Sequence, residues 1–176
     1  MHRVMIVGGP GSGKTTLALM MGEITELPVY HMDHIHWKPY WVERTAAEKE
    51  PLVAAVHASD TWIFEGGHSR TYPERLARAD TFIWLDIGII LRMWRIMRRN
   101  LVDLGRTRPD MTENCPERLG RESFKFWRWT WDTRHGQREK HLKVVNSPPA
   151  HLAVYHLTSM REIQHYVRGL ERECAQ

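Results

Sequence analysis

The sequence predicts an α/β fold, and three observations predict it. Short apolar runs alternate along the chain with segments of helical periodicity. The stretch Gly8–Thr16, reading GGPGSGKTT, lies between the apolar run Val4–Val7 and the helical segment Leu17–Met21. Several apolar runs end in an acid, at Asp33, Glu65 and Asp86, and in open α/β sheets the ligand crevice lies at those carboxyl ends.

Gly8–Thr16 fits G-x-x-x-x-G-K-S/T with Gly8, Gly13, Lys14 and Thr15 in the fixed places. Glycines let the backbone curl so that successive N–H groups point at phosphate oxygens. The helix start adds unsatisfied N–H groups and its positive dipole end. Gly8, Gly9, Pro10, Gly11, Ser12, Gly13, Lys14, Thr15 and Thr16 are therefore the candidate nucleotide-binding residues. Lys14 is expected to reach the β- and γ-phosphates, and the Thr15 hydroxyl to ligate Mg²⁺. A plain glycine turn does not need a Lys-Thr pair at this spacing.

At 176 residues the chain fits one domain, residues 1–176, with enough length for a core. No apolar run is long enough to span a bilayer, and the first strand begins too early to leave room for a signal peptide. Cys115 and Cys174 form neither a disulfide framework nor a zinc spacing, which points to a reducing cytoplasm. The net charge of +4 suits an anionic substrate such as a nucleotide, and the arginines gather between Arg92 and Arg138.

Taken in order, Arg3–Val7 is the first strand and Lys14–Glu23 the first helix. Val29–Met32 reads as a second strand with Asp33 at its tip. Asp33 there would orient an acceptor hydroxyl or a Mg²⁺ water, unless it is a turn or cap residue. His31, His34 and His36 surround it, but no second ligand cluster supports a dedicated metal site. Trp37, Pro39, Tyr40 and Trp41 would wall a substrate pocket or cover the core. Thr45-x-x-Glu48 is a capping box opening a helix to Ala58, with Leu52, Val53 and Val56 inward. Trp62–Phe64 is the third strand, and its tip Glu65-Gly66-Gly67 places an acid where a Mg²⁺-water carboxylate is expected. Gly66 and Gly67 would let an acceptor approach the backbone, and Arg70 would meet an anionic one or form a surface ion pair.

Thr71–Ala79 reads as a short helix with capping-box spacing from Thr71 to Glu74, and Thr81–Asp86 as the fourth strand, whose Asp86 competes with Glu65 for the Mg²⁺ role. In the helix Ile89–Val102, Ile90, Trp94, Met97 and Leu101 fall on one side and Arg92, Arg95 and Arg99 on the other. The basic side is expected in solvent, except that one or two arginines near Arg99 would reach a triphosphate. A lid is expected at about residues 103–120, carrying Arg106 and Arg108. A second long helix, Arg121 to about Lys140, would bury Phe124, Trp127 and Trp131, with Arg134 off that stripe. Leu152–Leu157 is the fifth strand, and Ser159-x-x-Glu162 caps a last helix burying Ile163, Tyr166, Val167 and Leu170. The turn at Thr158 and Ser159 would lie near a nucleotide base.

With these motifs placed, the chain resembles the adenylate-kinase-like group of P-loop small-molecule kinases over nearly its whole length. The shared parts are Gly8–Thr15, Glu65-Gly66, Arg70-Thr71 and a lid between two long helices. It is more closely similar to bacterial proteins catalogued as DNA topology modulation (FlaR-like) proteins, through VMIVGGPGSGKTTLA, HMDHIHWKPYWVER, EGGHSRT, FIWLD, GRTRPDM with CPER, and SMREI. The resemblance implies a P-loop NTPase three-layer fold, with five parallel strands in order 2-3-1-4-5 and helices on both faces. It also implies ATP, Mg²⁺ and lid arginines that close on the phosphates. Two departures stand out: Glu65 replaces the Asp of adenylate kinases, and Arg70 lies one residue farther from that acid. The tryptophan-rich HIHWKPYW segment is unlike an AMP site, so AMP is not carried over.

Two functions follow as expectations. One is an ATP-dependent kinase acting on a nucleotide or small-molecule acceptor. In it Lys14 and the loop hold phosphates, Thr15 with Glu65 or Asp86 holds Mg²⁺, Asp33 serves the acceptor hydroxyl, and Arg99, Arg106, Arg108 and Arg134 neutralise the transferring phosphoryl group. The other is a nucleotide-switched regulator of DNA topology or of a protein partner. No helix-turn-helix, zinc finger or aromatic-basic strand motif supports specific nucleic-acid recognition. Monomer and homodimer both remain open.

Overall fold

Val4 and Ile6 alternate with Met5 and Val7, and all four are buried, so the first strand is covered on both faces. The strands Trp62–Glu65 and Thr81–Leu85 repeat this, which requires helices above and below. The computed structural model describes residues 1–67, 70–108 and 111–175. Its elements are β1 (Arg3–Gly8), α1 (Lys14–Thr25), β2 (Val29–His31), α2 (Met32–His36), β3 (Trp37–Lys38), β4 (Val42–Glu43), α3 (Ala46–Ala58) and β5 (Trp62–Glu65). There follow α4 (Tyr72–Arg78), β6 (Thr81–Leu85), α5 (Ile89–Val102), α6 (Arg121–Asp132), α7 (Arg134–Asn146), β7 (Ala153–Leu157) and α8 (Met160–Cys174). The main sheet runs β2-β5-β1-β6-β7 with every pair parallel. With the small β3–β4 hairpin set aside, that is the expected order 2-3-1-4-5.

Two apolar layers hold the sheet. Val4, Ile6, Ile63, Ile83 and Leu85 pack against Leu17 and Met21 of α1 and Ile163, Val167 and Leu170 of α8. Met5, Phe64, Phe82 and Trp84 pack against Val53 and Val56 of α3, Tyr72 of α4 and Val144 of α7. Each fully buried large side chain contributes about 1.5–3 kcal/mol. The strands therefore end in a fixed plane, and the loops at their carboxyl ends inherit that rigidity. The expected caps at Thr45 and Ser159 are both made.

Several expectations are corrected. β2 ends at His31, because Met32 turns into the core beneath Gly66, where a glycine Cβ would stand 2.7 Å from the Met32 Cβ. Asp33 is thus in the first turn of α2 and not at a strand tip. Thr71 makes no side-chain cap, and Leu52 is exposed. The long helix after the lid is two helices parted at Thr133. Thr130 and Thr133 each donate a side-chain bond back to a carbonyl four residues earlier, which competes with continuation. Of the expected core stripe of α6, Phe124 and Trp131 are exposed, Phe124 by 62%, and only Trp127 is half-buried, bonded to Asn100.

The largest correction is α5, which is turned over. Ile90, Trp94 and Leu101 are 71%, 58% and 63% exposed, whereas Arg92 is buried. The arginine side faces the Gly8–Thr16 loop. The expected lid begins after α5 and closes on itself through bridges Leu104–Glu117 and Thr107–Pro116; its residues Pro109 and Asp110 lie outside the described residues. It is bonded to the β3–β4 hairpin. Trp41 Nε1 donates to Pro116 O (3.0 Å), Tyr40 N to Asn114 O (3.1 Å) and Thr112 Oγ1 to Trp37 O (2.9 Å). The buried Cys115 Sγ lies 3.4 Å from both Trp41 N and Lys38 O. Tyr40 and Trp41 both adopt left-handed backbone angles, strain that sits in the hairpin these bonds hold.

Candidate active site

The loop after β1 has its shape because Arg92 lies against it. Arg92 Nε donates to Pro10 O at 2.9 Å, and a Cβ on Gly9 would stand 1.9 Å from Arg92 Nη2. Gly11, with φ 75°, packs on the Arg92 carbonyl, where a Cβ would lie 2.5 Å away. Burial lowers the Arg92 pKa, and the Asp86 charge opposes that shift. Gly13, also left-handed, starts α1 without a side-chain cap, so the first N–H groups of that helix face the cleft.

Lys14 Nζ donates to Gly9 O at 3.3 Å. Burial lowers its pKa, while Glu65 and Asp33 pull it back up. Thr15 Oγ1 donates to Glu65 Oε1 at 3.2 Å. The same oxygen lies 2.9 Å from His31 Nδ1. Burial alone would raise the Glu65 pKa, but the His31 hydrogen bond and the Lys14 charge hold it below the usual carboxylate value. Glu65 is therefore ionised, and His31 Nδ1 carries the donated proton. Asp86 is placed differently, between Arg138 Nε (3.0 Å) and His156 Nε2 (3.1 Å).

Lys14, Thr15 and Glu65 open on a cleft of about 1460 Å³. Gly8, Pro10, Gly11, Gly13 and Thr16 line it together with Arg95, Arg99 and Arg108. Asp33, His36, Trp37, Trp41, Gly66 and Gly67 line it as well, as do Lys140 and His141 of α7. Ser12 is buried behind the loop. Arg99 and Arg108 share Glu117, with Arg108 Nε 2.8 Å and Arg99 Nε 3.8 Å from Oε1. Asn100 Nδ2 donates to the other Glu117 oxygen at 2.6 Å and accepts from Trp127 Nε1 at 3.1 Å. One buried carboxylate thus aligns two guanidinium groups.

Beside Gly66, Arg75 is fully buried and donates to Gly66 O at 3.0 Å, its guanidinium 4.6 Å from the Phe64 ring centroid. Burial lowers its pKa to about 10. His141 bonds Tyr72 Oη at 3.0 Å, and burial pushes its imidazole down to about 4. Three arginines expected at the site lie outside the cleft wall. Arg70 pairs with Glu50 at 3.5 Å, Arg106 is exposed, and Arg134 lies over the Trp131 ring at 4.4 Å.

In structure, the chain is similar over 99% of its length to a shikimate kinase from Acinetobacter baumannii, with TM-score 0.57, 15% identity and 94% of that chain covered. A shikimate kinase from Bacteroides thetaiotaomicron gives 0.57, 14% identity and 99% of each chain. A gluconokinase from Sinorhizobium meliloti gives 0.53 and 14% identity, covering 99% of this chain and 91% of that one. The fold is that of the P-loop kinases. No protein-family model and no curated protein matches the sequence, so the closer FlaR-like resemblance gains no support there.

Several residues of this P-loop cleft escaped sequence reasoning: His31 as the partner of Glu65, Arg92 and Arg95 on α5, Glu117, and Lys140 with His141. For α5 the signal was present. Arg92, Arg95 and Arg99 recur at helical spacing, and a coherent cationic stripe near a phosphate loop has an anion to face. Nothing local marks His31, whose partner Glu65 lies 34 residues away, or Glu117, which meets Asn100 of α5 and Arg108 of the lid.

Proposed function

We propose that this protein is an ATP-dependent phosphotransferase that moves the γ-phosphoryl group to a hydroxyl of a small-molecule acceptor. One observation carries it: the phosphate loop, the Thr15–Glu65 pair, Asp33 and the paired Arg99 and Arg108 all open on a single cleft. A nucleotide switch needs the first two of these but no second acid across an open acceptor space.

In this reading Lys14 and the loop N–H groups bind the β- and γ-phosphates. Thr15 and Glu65 hold Mg²⁺, which supplies charge neutralisation when bound with ATP. Their contact fits that role, and among the described residues no group of three or more His, Cys, Asp or Glu side chains gathers to hold a metal alone. Asp33 accepts a hydrogen bond from the acceptor hydroxyl, aligns its oxygen and takes its proton as the new P–O bond forms. Arg99 and Arg108, with Arg95 beside them, face the charge on the phosphoryl group in flight. Trp37 and Trp41 wall the acceptor and exclude water. The acceptors tested should include polyhydroxy acids, sugars and nucleoside monophosphates, with ADP release as the readout. Stimulation by one acceptor far above basal hydrolysis supports the reading, and ADP release indifferent to every acceptor class removes it.

A further inference from the structure

We propose that His31 is a positioning residue that fixes the Glu65 carboxylate and thereby sets how strongly the site responds to a divalent cation. The inference rests on the reading of Thr15 and Glu65 as the cation-holding pair and adds the residue that makes that pair work.

The argument begins with chain length. A glutamate at a strand tip has one more rotatable bond than an aspartate, so its carboxylate sweeps a wider arc unless something pins it. The fold supplies a pin. β2 and β5 pair in parallel, and His31 is the register partner of Glu65 at the end of that ladder. Both side chains are buried, and His31 Nδ1 lies 2.9 Å from Glu65 Oε1. The same oxygen accepts from Thr15 Oγ1 at 3.2 Å. Two donors on one oxygen hold Oε1 at a set distance from the phosphate loop. His31 is steadied in turn by an edge contact with His34, their ring centroids 5.3 Å apart.

Without the His31 donor, Glu65 keeps Thr15 and the charge of Lys14, which already acts on it. The carboxylate would swing toward the Lys14 ammonium, away from the position at which it meets the cation. Outer-shell groups that orient a ligand commonly change metal affinity by about 10- to 100-fold when removed.

Calorimetric ATP titrations at stepped Mg²⁺ concentrations and in EDTA test this without turnover. His31→Leu keeps bulk but removes the donor. His31→Asn keeps an N–H donor near the Nδ1 position. The expected result is that His31→Leu raises the Mg²⁺ concentration for half-maximal tightening of ATP by about tenfold. Its ATP affinity in EDTA stays near wild type, and His31→Asn keeps the wild-type Mg²⁺ response. A merely structural histidine would shift both affinities together. Should His31→Leu fail to fold, His31→Gln, which displaces the donor to the ε position, is expected to show the same raised Mg²⁺ requirement. An unchanged Mg²⁺ response in either variant, or a loss in His31→Asn equal to that in His31→Leu, overturns the proposal. Wild-type ATP binding indifferent to Mg²⁺ overturns the Thr15–Glu65 reading as well, and that failure is recognisable because it needs no variant.

Discussion

Lys14 illustrates how one side chain can be tested apart from the fold. Among the described residues it donates to the Gly9 carbonyl, at 3.3 Å, and belongs to neither apolar layer. Lys14→Ala should leave the thermal unfolding profile near wild type while weakening ATP by about 1.5–3 kcal/mol, the value of a charge-assisted hydrogen bond. ATP binding by calorimetry that is unchanged in the folded variant would falsify the phosphate-site assignment. Asp33 separates the acceptor from the nucleotide. Asp33→Asn keeps the size and removes the charge, so turnover with the acceptor should fall about 100-fold or more while ATP affinity holds. Full retention of acceptor phosphorylation would make Asp33 a helix-start residue only. His141 gives a pH signature. Burial holds its folded pKa at about 4 against an ordinary value of 6.5, so the unfolded chain binds more protons between those values. Stability should therefore decline as the pH falls from about 6.5 to about 4, by at most about 3 kcal/mol from this group. Denaturant unfolding of wild type and His141→Gln at pH 7 and 4.5 checks it: the variant should lose less on acidification.

At the scale of the element, α5 carries the clearest test of how the site is built. The Gly9 position needs its missing Cβ because Arg92 fills that space. Gly9→Ala should destabilise by about 1–3 kcal/mol, the usual range for overpacking. Adding Arg92→Ala should recover part of that loss, since the clash is gone. A double-mutant cycle that shows strict additivity would mean that α5 is not docked on the loop through Arg92. The same helix shows where the sequence was legible and where it was not. The strands, the loop and the caps at Thr45 and Ser159 are local: apolar alternation, fixed motif spacing and a residue three positions on. Helix orientation is not local. A periodicity argument sends the apolar side inward because it compares an oily interior with water. Beside this cleft the surroundings of α5 include the Pro10 carbonyl, which Arg92 bonds, and in the proposed reading the phosphates of ATP, so arginine is the better fit. The expectation that the basic side of α5 faces solvent therefore fails, with Ile90, Trp94 and Leu101 exposed instead, and β2 stops at His31 although Met32 looks equally at home in a strand. Thr15 is legible through its motif position with Glu65 and Asp86 as alternative partners, whereas the choice of Glu65, and Glu117 and His31 beside the site, become visible only in the folded chain.

For the whole molecule, the decisive feature is that the expected lid does not stand alone. Residues 111–118 and the β3–β4 hairpin are joined by the Trp41, Tyr40, Thr112 and Cys115 bonds. Hydrogen exchange with a non-hydrolysable ATP analogue should therefore protect residues 37–43 together with residues 104–108 and 111–118. Protection of the second group alone would show that the two segments move separately. Trp41→Phe keeps the ring and removes the donor to Pro116, and should loosen that joint response. The hairpin bond network also bears on timing. In the proposed kinase reading, a flap that joins the hairpin to the lid over the cleft gives the two products one common exit. Neither ADP nor the phosphorylated acceptor could then depart while the other stayed sealed in, so their dissociation would share a single slow rate. Steady-state turnover would then slow with solvent viscosity, whereas the first turnover in a rapid-quench measurement would not.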